Sequence, residues 1–395
     1  MLRSAGAAWG ETTVTDLPPL DRSVLPAGIR SRFVDDVNGL RVHILEAGFE
    51  EPGRPCVLLL HGFPELAWSW RRVLGPLASA GFHAVAPDLR GYGRTTGWHA
   101  DYDSEADLRS FRLLNAVRDA FGLVVALGHR SVAAVVGHDF GSPVAAWCAL
   151  VRPDVFRSVA LMSAPFAGPP ALPRPAPGPD VHAALARLAR PRKHYQWYYS
   201  TRPANDDMWH CRQGVHAFLR AYYHHKSTDW TKNRPFRLAG WTAEELAKMP
   251  TYYVMDLNET MAETVAHVMP SAAEIAACGW LPETDLAVYS GEYERTGFQG
   301  GLQWYRRGTG GLDNAELQLF AGRTIDVPAM FVAGKSDWGI YQRPGAIEAM
   351  QASACTRMVG CHLLDGAGHW VQQEQWEKVS DLLVGFLKRQ VPQAG

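Results

Sequence analysis

Five short apolar runs constrain this chain most: CVLLL (56–60), HAVAP (83–87), VAAVVG (132–137), SVALMSAP (158–165) and VPAMFVAG (327–334). Each is too short for a helix and apolar at successive positions, so both faces of the extended backbone must be covered. Central strands of a parallel sheet have that property. Between the runs lie stretches of helical period, SFRLLNAVRDAFGLV and SPVAAWCALV, with a last one, EQWEKVSDLLVGFLKRQ, near the end. The alternation predicts an α/β sandwich, mostly parallel, with helices on both faces of the sheet. An antiparallel hairpin opens it. RFVDDV and LRVHILEAG flank Asn38 and Gly39, the dipeptide that suits a two-residue turn whose central residues both need positive φ.

The alternation breaks between residues 166 and 322. Seven prolines, at 165, 169, 170, 173, 175, 177 and 179, begin the break and predict a semi-rigid extended connector. LARLARPRKHYQWYYS, WHCRQGVHAFLRAYYHH and TAEELAKM then read as helices rich in Tyr, Trp and His. The 395 residues correspond to two or three units at roughly 150 per domain. The expected division is a polar arm or surface strap over 1–28, a first part of the α/β core over 29–165, a helical cap with its connector over 166–322, and the rest of the core over 323–395.

Thirty-nine Lys and Arg balance 40 Asp and Glu, which leaves no surplus charge for nucleic-acid phosphates or an anionic membrane. Nowhere do 18 apolar residues run together, and the first residues lack the apolar stretch of a secretory signal. Six scattered cysteines in so long a chain predict reduced, buried thiols and a cytoplasmic setting. Cys355, Cys361 and His362 lack the two further ligands that a zinc site would need, so no metal is expected.

The chemistry begins at Asp139. VAAVVG runs into HDFGSPVAAW, placing Asp139 between a strand and a helix with Gly137 two before it and Gly141 two after. That is the spacing of a nucleophile elbow, a tight turn that pushes one side chain out above the sheet. The nucleophile here would be a carboxylate, and no GxSxG occurs. A helix cap is the structural alternative for Asp139. Two further groups sit at the ends of later strands, where open α/β sheets place ligands: Asp337 in FVAGKSD and His369 in LLDGAGHW. Nucleophile, acid and histidine follow in the chain order of an α/β-hydrolase triad; Asp365 competes for the acid role. HGFPE (61–65) follows the strand CVLLL. In sites of this kind the N–H groups of Phe63 and Phe140 bind an oxyanion, whereas His61 and His138 support loops.

With these motifs in hand, HGFPELAWSWRRV, APDLRGYGRT, VVGHDFGSPVAAW, GFQGGLQWYRR, AGKSDWG and GAGHWVQQEQ together resemble the epoxide hydrolases of the α/β-hydrolase superfamily. The resemblance spans most of residues 30 to 390 and is weakest in the cap from about 226 to 285. It implies an α/β-hydrolase fold with an inserted helical cap, and two cap tyrosines that donate hydrogen bonds to the epoxide oxygen. The second maps onto Tyr305 in QWYRR; the first most resembles Tyr195 in HYQWYYS, with Tyr198 and Tyr199 close by. Phe140 stands where tryptophan often follows the nucleophile, and the cap middle is longer than the pattern.

The residue types suit epoxide hydrolysis. Asp139, ionised at neutral pH, attacks a saturated carbon, while Tyr195 and Tyr305, protonated there, donate to the departing oxygen. Water activated by His369, itself oriented by Asp337, then opens the ester. No metal or organic cofactor is needed; the partners are a small epoxide and water, and a homodimer stays open. One alternative is a haloalkane or haloacid dehalogenase using the same Asp, although Phe140 offers halide no donor. Another is a non-catalytic ligand-binding protein on a hydrolase scaffold.

Overall fold

The computed structural model describes residues 17–173, 178 and 180–390. Ten strands are found among them: β1 (Ile29–Val37), β2 (Leu40–Ala47), β3 (Cys56–Leu60), β4 (His83–Pro87), β5 (Ala134–His138), β6 (Val159–Met162), β7 (Arg192–His194), β8 (Val254–Asp256), β9 (Ala329–Gly334) and β10 (Met358–Leu364). Eight form one sheet in the order β1-β2-β4-β3-β5-β6-β9-β10. The first two pairings, β1 with β2 and β2 with β4, are antiparallel, and the rest are parallel.

All five apolar runs become strands of this sheet. Every residue of β3, β5, β6 and β9 is buried, as unbroken apolar runs require when helices cover both faces. β10, the outer strand, is half-exposed along its length. It carries Cys361 out to solvent, so the expectation of buried thiols fails there; Cys56, Cys148 and Cys355 are buried, Cys211 and Cys278 half-buried, and all six are free. The β1–β2 hairpin turns at Asn38 and Gly39 with φ of 51° and 79°. Within the arm, Leu20 N–H donates to Ser31 Oγ at 2.9 Å and ties the strap to β1. Residues 1–16 of the arm and most of the second half of the proline connector lie outside the described residues.

The strand order reverses at β3, with β4 on one side and β5 on the other. A crevice therefore opens beyond the carboxyl ends of β3 and β5, the place where such sheets bind ligands. The segment between β6 and β9 lies over this end. Its helices include Tyr195–Tyr199, Gly214–Lys226, Glu283–Thr296 and Gln299–Thr309. It also contains a two-stranded antiparallel ribbon, β7 with β8, whose three-residue strands are too short to show any alternation in sequence. Buried polar contacts join it to the core: Trp304 Nε1–H donates to Arg90 O at 2.9 Å, Tyr223 Oη–H to Pro64 O at 3.0 Å, and Arg71 pairs with Asp285 at 2.7 Å. No helix among the described residues is long and apolar enough to cross a membrane.

Candidate active site

Asp139 is the first residue beyond β5 and has φ of 50°, rare for a residue with a side chain. Strain of this kind costs on the order of 1–3 kcal/mol and persists only where the surroundings impose it. Two glycines impose it. A Cβ on Gly137 would lie 2.0 Å from Gly141 O, and one on Gly141 would lie 2.2 Å from Leu60 O. The helix Gly141–Val151 can thus press against β3 and β5 and force the turn. The elbow aims the carboxylate into the crevice, where Phe63 N–H donates to Asp139 Oδ1 at 2.9 Å. Phe140 N–H makes no hydrogen bond to the resting carboxylate.

His369 and Asp337 complete the group. His369 Nε2 stands 3.4 Å from Asp139 Oδ2, and Nδ1 stands 3.1 Å from Asp337 Oδ1. The His369 and Asp337 side chains are 3% and 1% exposed, whereas Asp139 keeps 18%, so of the three Asp139 alone is open to a reactant. Burial works to raise the Asp139 carboxyl, but the adjacent His369 ring and the charges of Lys226 and His138 outweigh it and hold it below the usual carboxylate range. Asp337 is likewise held low against burial, by His369, Ser163 and Gly339 N–H. Asp365 instead pairs with Lys335 at 2.8 Å on the surface, away from His369.

Ser163 belongs to this group and was not anticipated. It follows β6 with φ of 67°, donates to Asp337 Oδ2, and lies 2.8 Å from His369 Nδ1. Its signal in the sequence was weak: a small polar residue ending the run SVALMSAP at a carboxyl edge.

The two other histidines brace the loops. His61, buried and pushed toward its neutral form by burial, accepts Leu89 N–H at Nε2 and bonds Gly62 O through Nδ1. His138 faces acceptors on both sides, Glu65 Oε2 at 2.6 Å and His369 O at 2.7 Å. Both ring nitrogens must then donate, which makes His138 an imidazolium. Its pKa is raised accordingly, the Glu65 charge overcoming the effect of burial. Glu65 also accepts from Gln372 and Gln373, at 2.8 and 3.0 Å.

Above the carboxylate the cap contributes tyrosines. The Tyr305 ring packs edge-on against Phe140 at 4.5 Å and lies 4.8 Å from Tyr199 and 5.7 Å from Tyr195. Tyr195 Oη–H donates to Gln342 Oε1 at 2.8 Å, a contact with the loop after Asp337 that sequence reading did not foresee. Tyr198 turns into the cap and donates to Asp207 at 2.8 Å. Burial, reinforced by the nearby Asp139 charge, pushes Tyr195 and Tyr305 well above the ordinary phenol range, so both stay protonated donors. A cleft of about 150 Å³ borders Phe140 and Tyr305, with Gln196, Trp197 and Thr309 on its other walls.

A metal could be considered elsewhere, since ligand atoms of Cys56, His83 and His129 lie within 4.8 Å of one another at the opposite ends of the strands. His83 Nδ1 and His129 Nε2 already share a hydrogen bond at 3.1 Å, and burial keeps the Cys56 thiol protonated. Nothing there calls for an ion.

Comparison with known proteins agrees with this geometry. The model of the alpha/beta hydrolase fold family matches residues 55–375. Epoxide hydrolase A of Mycobacterium tuberculosis is 33% identical over 354 residues, covering 89% of this chain and 95% of the relative. An epoxide hydrolase of Caballeronia sordidicola is 30% identical, covering 89% and 92%. Among solved structures, an epoxide hydrolase from an endophytic Streptomyces superposes with a TM-score of 0.71 at 32% identity, over 92% of this chain and 96% of that one. Sheet order, elbow and sequence similarity lead to one assignment: the chain belongs to the α/β-hydrolase family, among its epoxide hydrolases.

Proposed function

We propose that this protein hydrolyses an epoxide to a vicinal diol through an ester on Asp139. The observation that carries the reading is an ionised, partly accessible carboxylate at the elbow, with a backbone N–H on one oxygen and with its charge acting on two cap tyrosines, Tyr195 and Tyr305. In the first step an Asp139 oxygen bonds an oxirane carbon and the C–O bond of the ring breaks. Tyr305, and Tyr195 once its single O–H leaves Gln342 Oε1 for the substrate, donate to the nascent alkoxide, which ends protonated at the expense of one solvent proton. In the second, water adds to Asp139 Cγ and gives a proton to His369 Nε2. The bond between Cγ and the diol oxygen then breaks as His369 gives its proton to that oxygen, and the second proton of the attacking water leaves Asp139 for solvent as the carboxylate re-forms, which balances the one taken up in the first step. Asp337 and Ser163 hold Nδ1, which leaves Nε2 free to accept. Phe63 and Phe140 N–H groups face the tetrahedral oxygen.

The oxygen-side donors favour an epoxide over a haloalkane, because departing halide needs donors beside the nucleophile and Phe140 supplies none. Purified protein should turn over styrene oxide and leave a haloalkane such as 1-bromobutane intact; the reverse result would reassign it as a dehalogenase.

Tyr305→Phe should slow ester formation by about 10²-fold and ester hydrolysis far less, since the lost hydrogen bond is to the epoxide oxygen. Rapid-mixing kinetics separate the two steps. A mutant that alkylates at the wild-type rate would reduce Tyr305 to a packing residue. Tyr195→Phe should behave alike, and a large effect at Tyr198 with none at Tyr195 would move the first donor along the helix.

A further inference from the structure

Tyr195 has a single phenolic proton, and in the resting structure it is already donated, from Oη to Gln342 Oε1 at 2.8 Å. Ring opening needs that proton at the departing oxygen, so the bond to Gln342 has to be given up in every cycle. A third side chain closes the group. Gln196, next in sequence to Tyr195, donates from Nε2 to Tyr195 Oη at 3.2 Å and extends the same amide toward Gln342 Oε1, at 3.5 Å. Both sides of the group are held in place. Tyr195 N–H donates to Tyr253 O at 2.9 Å, and the two rings pack at 5.0 Å. Gln342 lies on the loop after the turn Trp338–Ile340, which Asp337 caps by accepting Gly339 N–H at 2.7 Å. Gln196 also lines the cleft beside Phe140 and Tyr305.

The three side chains solve a problem that a tyrosine donor creates. A phenol redirects its proton by rotation about the C–O bond, with the ring at rest. Once the proton turns toward an epoxide oxygen, Gln342 Oε1 loses its short donor, and an amide oxygen left unpaired where the cap meets the core is costly. Gln196 removes that cost, because its amide carries two N–H groups. The one at 3.5 Å closes on Gln342 Oε1, while the other stays on Tyr195 Oη. Accepting that second bond also makes the phenol a stronger donor, since linked hydrogen bonds polarise one another.

We propose that Gln196 is a positioning residue for Tyr195: its amide keeps both oxygens bonded while the phenolic proton passes from Gln342 in the resting enzyme to the epoxide oxygen during ring opening. The inference rests on the ester reading above and on Tyr195 as one of its donors. Gln342 is the resting acceptor that holds the proton until substrate arrives.

The test uses the full chain and styrene oxide, with formation and decay of the ester followed separately by quenched flow and intact mass. Gln196→Met keeps the length of the side chain and removes both N–H groups; Gln196→Leu replaces it should Met fail to fold. Ester formation should slow about tenfold, the effect of one polar group left unpaired, with ester decay close to wild type. In a Tyr195→Phe background the same change should cost nothing further, because a ring without a hydroxyl has no proton to redirect. Adding Gln342→Met to Gln196→Met should recover much of the lost rate, since no amide oxygen is then stranded. Ester formation at the wild-type rate in Gln196→Met, equal slowing of both steps, or the same loss in the Tyr195→Phe background would each overturn the inference and leave the ester reading intact. So would a Gln196→Met/Gln342→Met variant no faster than Gln196→Met alone. Absence of an ester in the wild type would overturn both.

Discussion

His369→Gln should stop the cycle halfway. Glutamine matches the reach of Nε2 and cannot take a proton, whereas ester formation draws only on Asp139 and the tyrosines. Base catalysis of this kind contributes about 10²–10⁴-fold, so the mutant should alkylate at close to the wild-type rate and lose the ester slowly enough for it to accumulate. Intact mass should show the protein heavier by one substrate, and digestion should place the addition on the peptide containing Asp139. Normal steady-state turnover by this mutant would remove His369 from the mechanism. Part of the loss will reflect packing, because His369 lies 5.0 Å from the His138 ring and 4.6 Å from Trp370; an unfolding midpoint close to wild type separates the two effects.

Asp139→Ala should be the most damaging single change, with activity lower by on the order of 10⁴-fold or more, since a nucleophile cannot be partly replaced. No ester should form at any pH. Folding should survive, because alanine removes a partly desolvated charge along with the Phe63 hydrogen bond. Stopped-flow traces without any ester phase and a cooperative unfolding transition would together match this expectation. Residual activity within tenfold of wild type would show that another group opens the ring.

These effects concentrate on residues that the sequence alone marks, and the reason is topological. Asp139 and Asp337 follow apolar runs and His369 follows the outer strand β10, and a parallel sheet brings the carboxyl ends of its strands to one edge. Local sequence thus carried three-dimensional placement. The same holds for Gly137 and Gly141, whose spacing around Asp139 reflects contacts of about 2 Å that no Cβ could occupy. What escaped notice depends on folding of the cap. Tyr195 and Tyr199, four apart on a helix, share the face toward Tyr305, whereas Tyr198 rotates toward Asp207. Gln342 meets Tyr195 across 147 positions of sequence, and Lys226 is boxed by rings from three separate segments. Such meetings have no period and no motif. Lys226, 2% exposed, reads in sequence as one more polar residue at a helix end.

The central claim is that Asp139 bonds to the substrate instead of acting as a base for water, and the two mechanisms differ in the origin of one oxygen atom. A single turnover in heavy-oxygen water, with enzyme in excess, separates them. If Asp139 attacks, water opens the ester at Cγ, so the oxygen delivered to the diol is one that the carboxylate already held. The first-turnover diol should be unlabelled and the peptide bearing Asp139 should gain the label. Label in that diol with a light peptide would contradict the ester, and with it the roles given to His369 and to the N–H groups of Phe63 and Phe140.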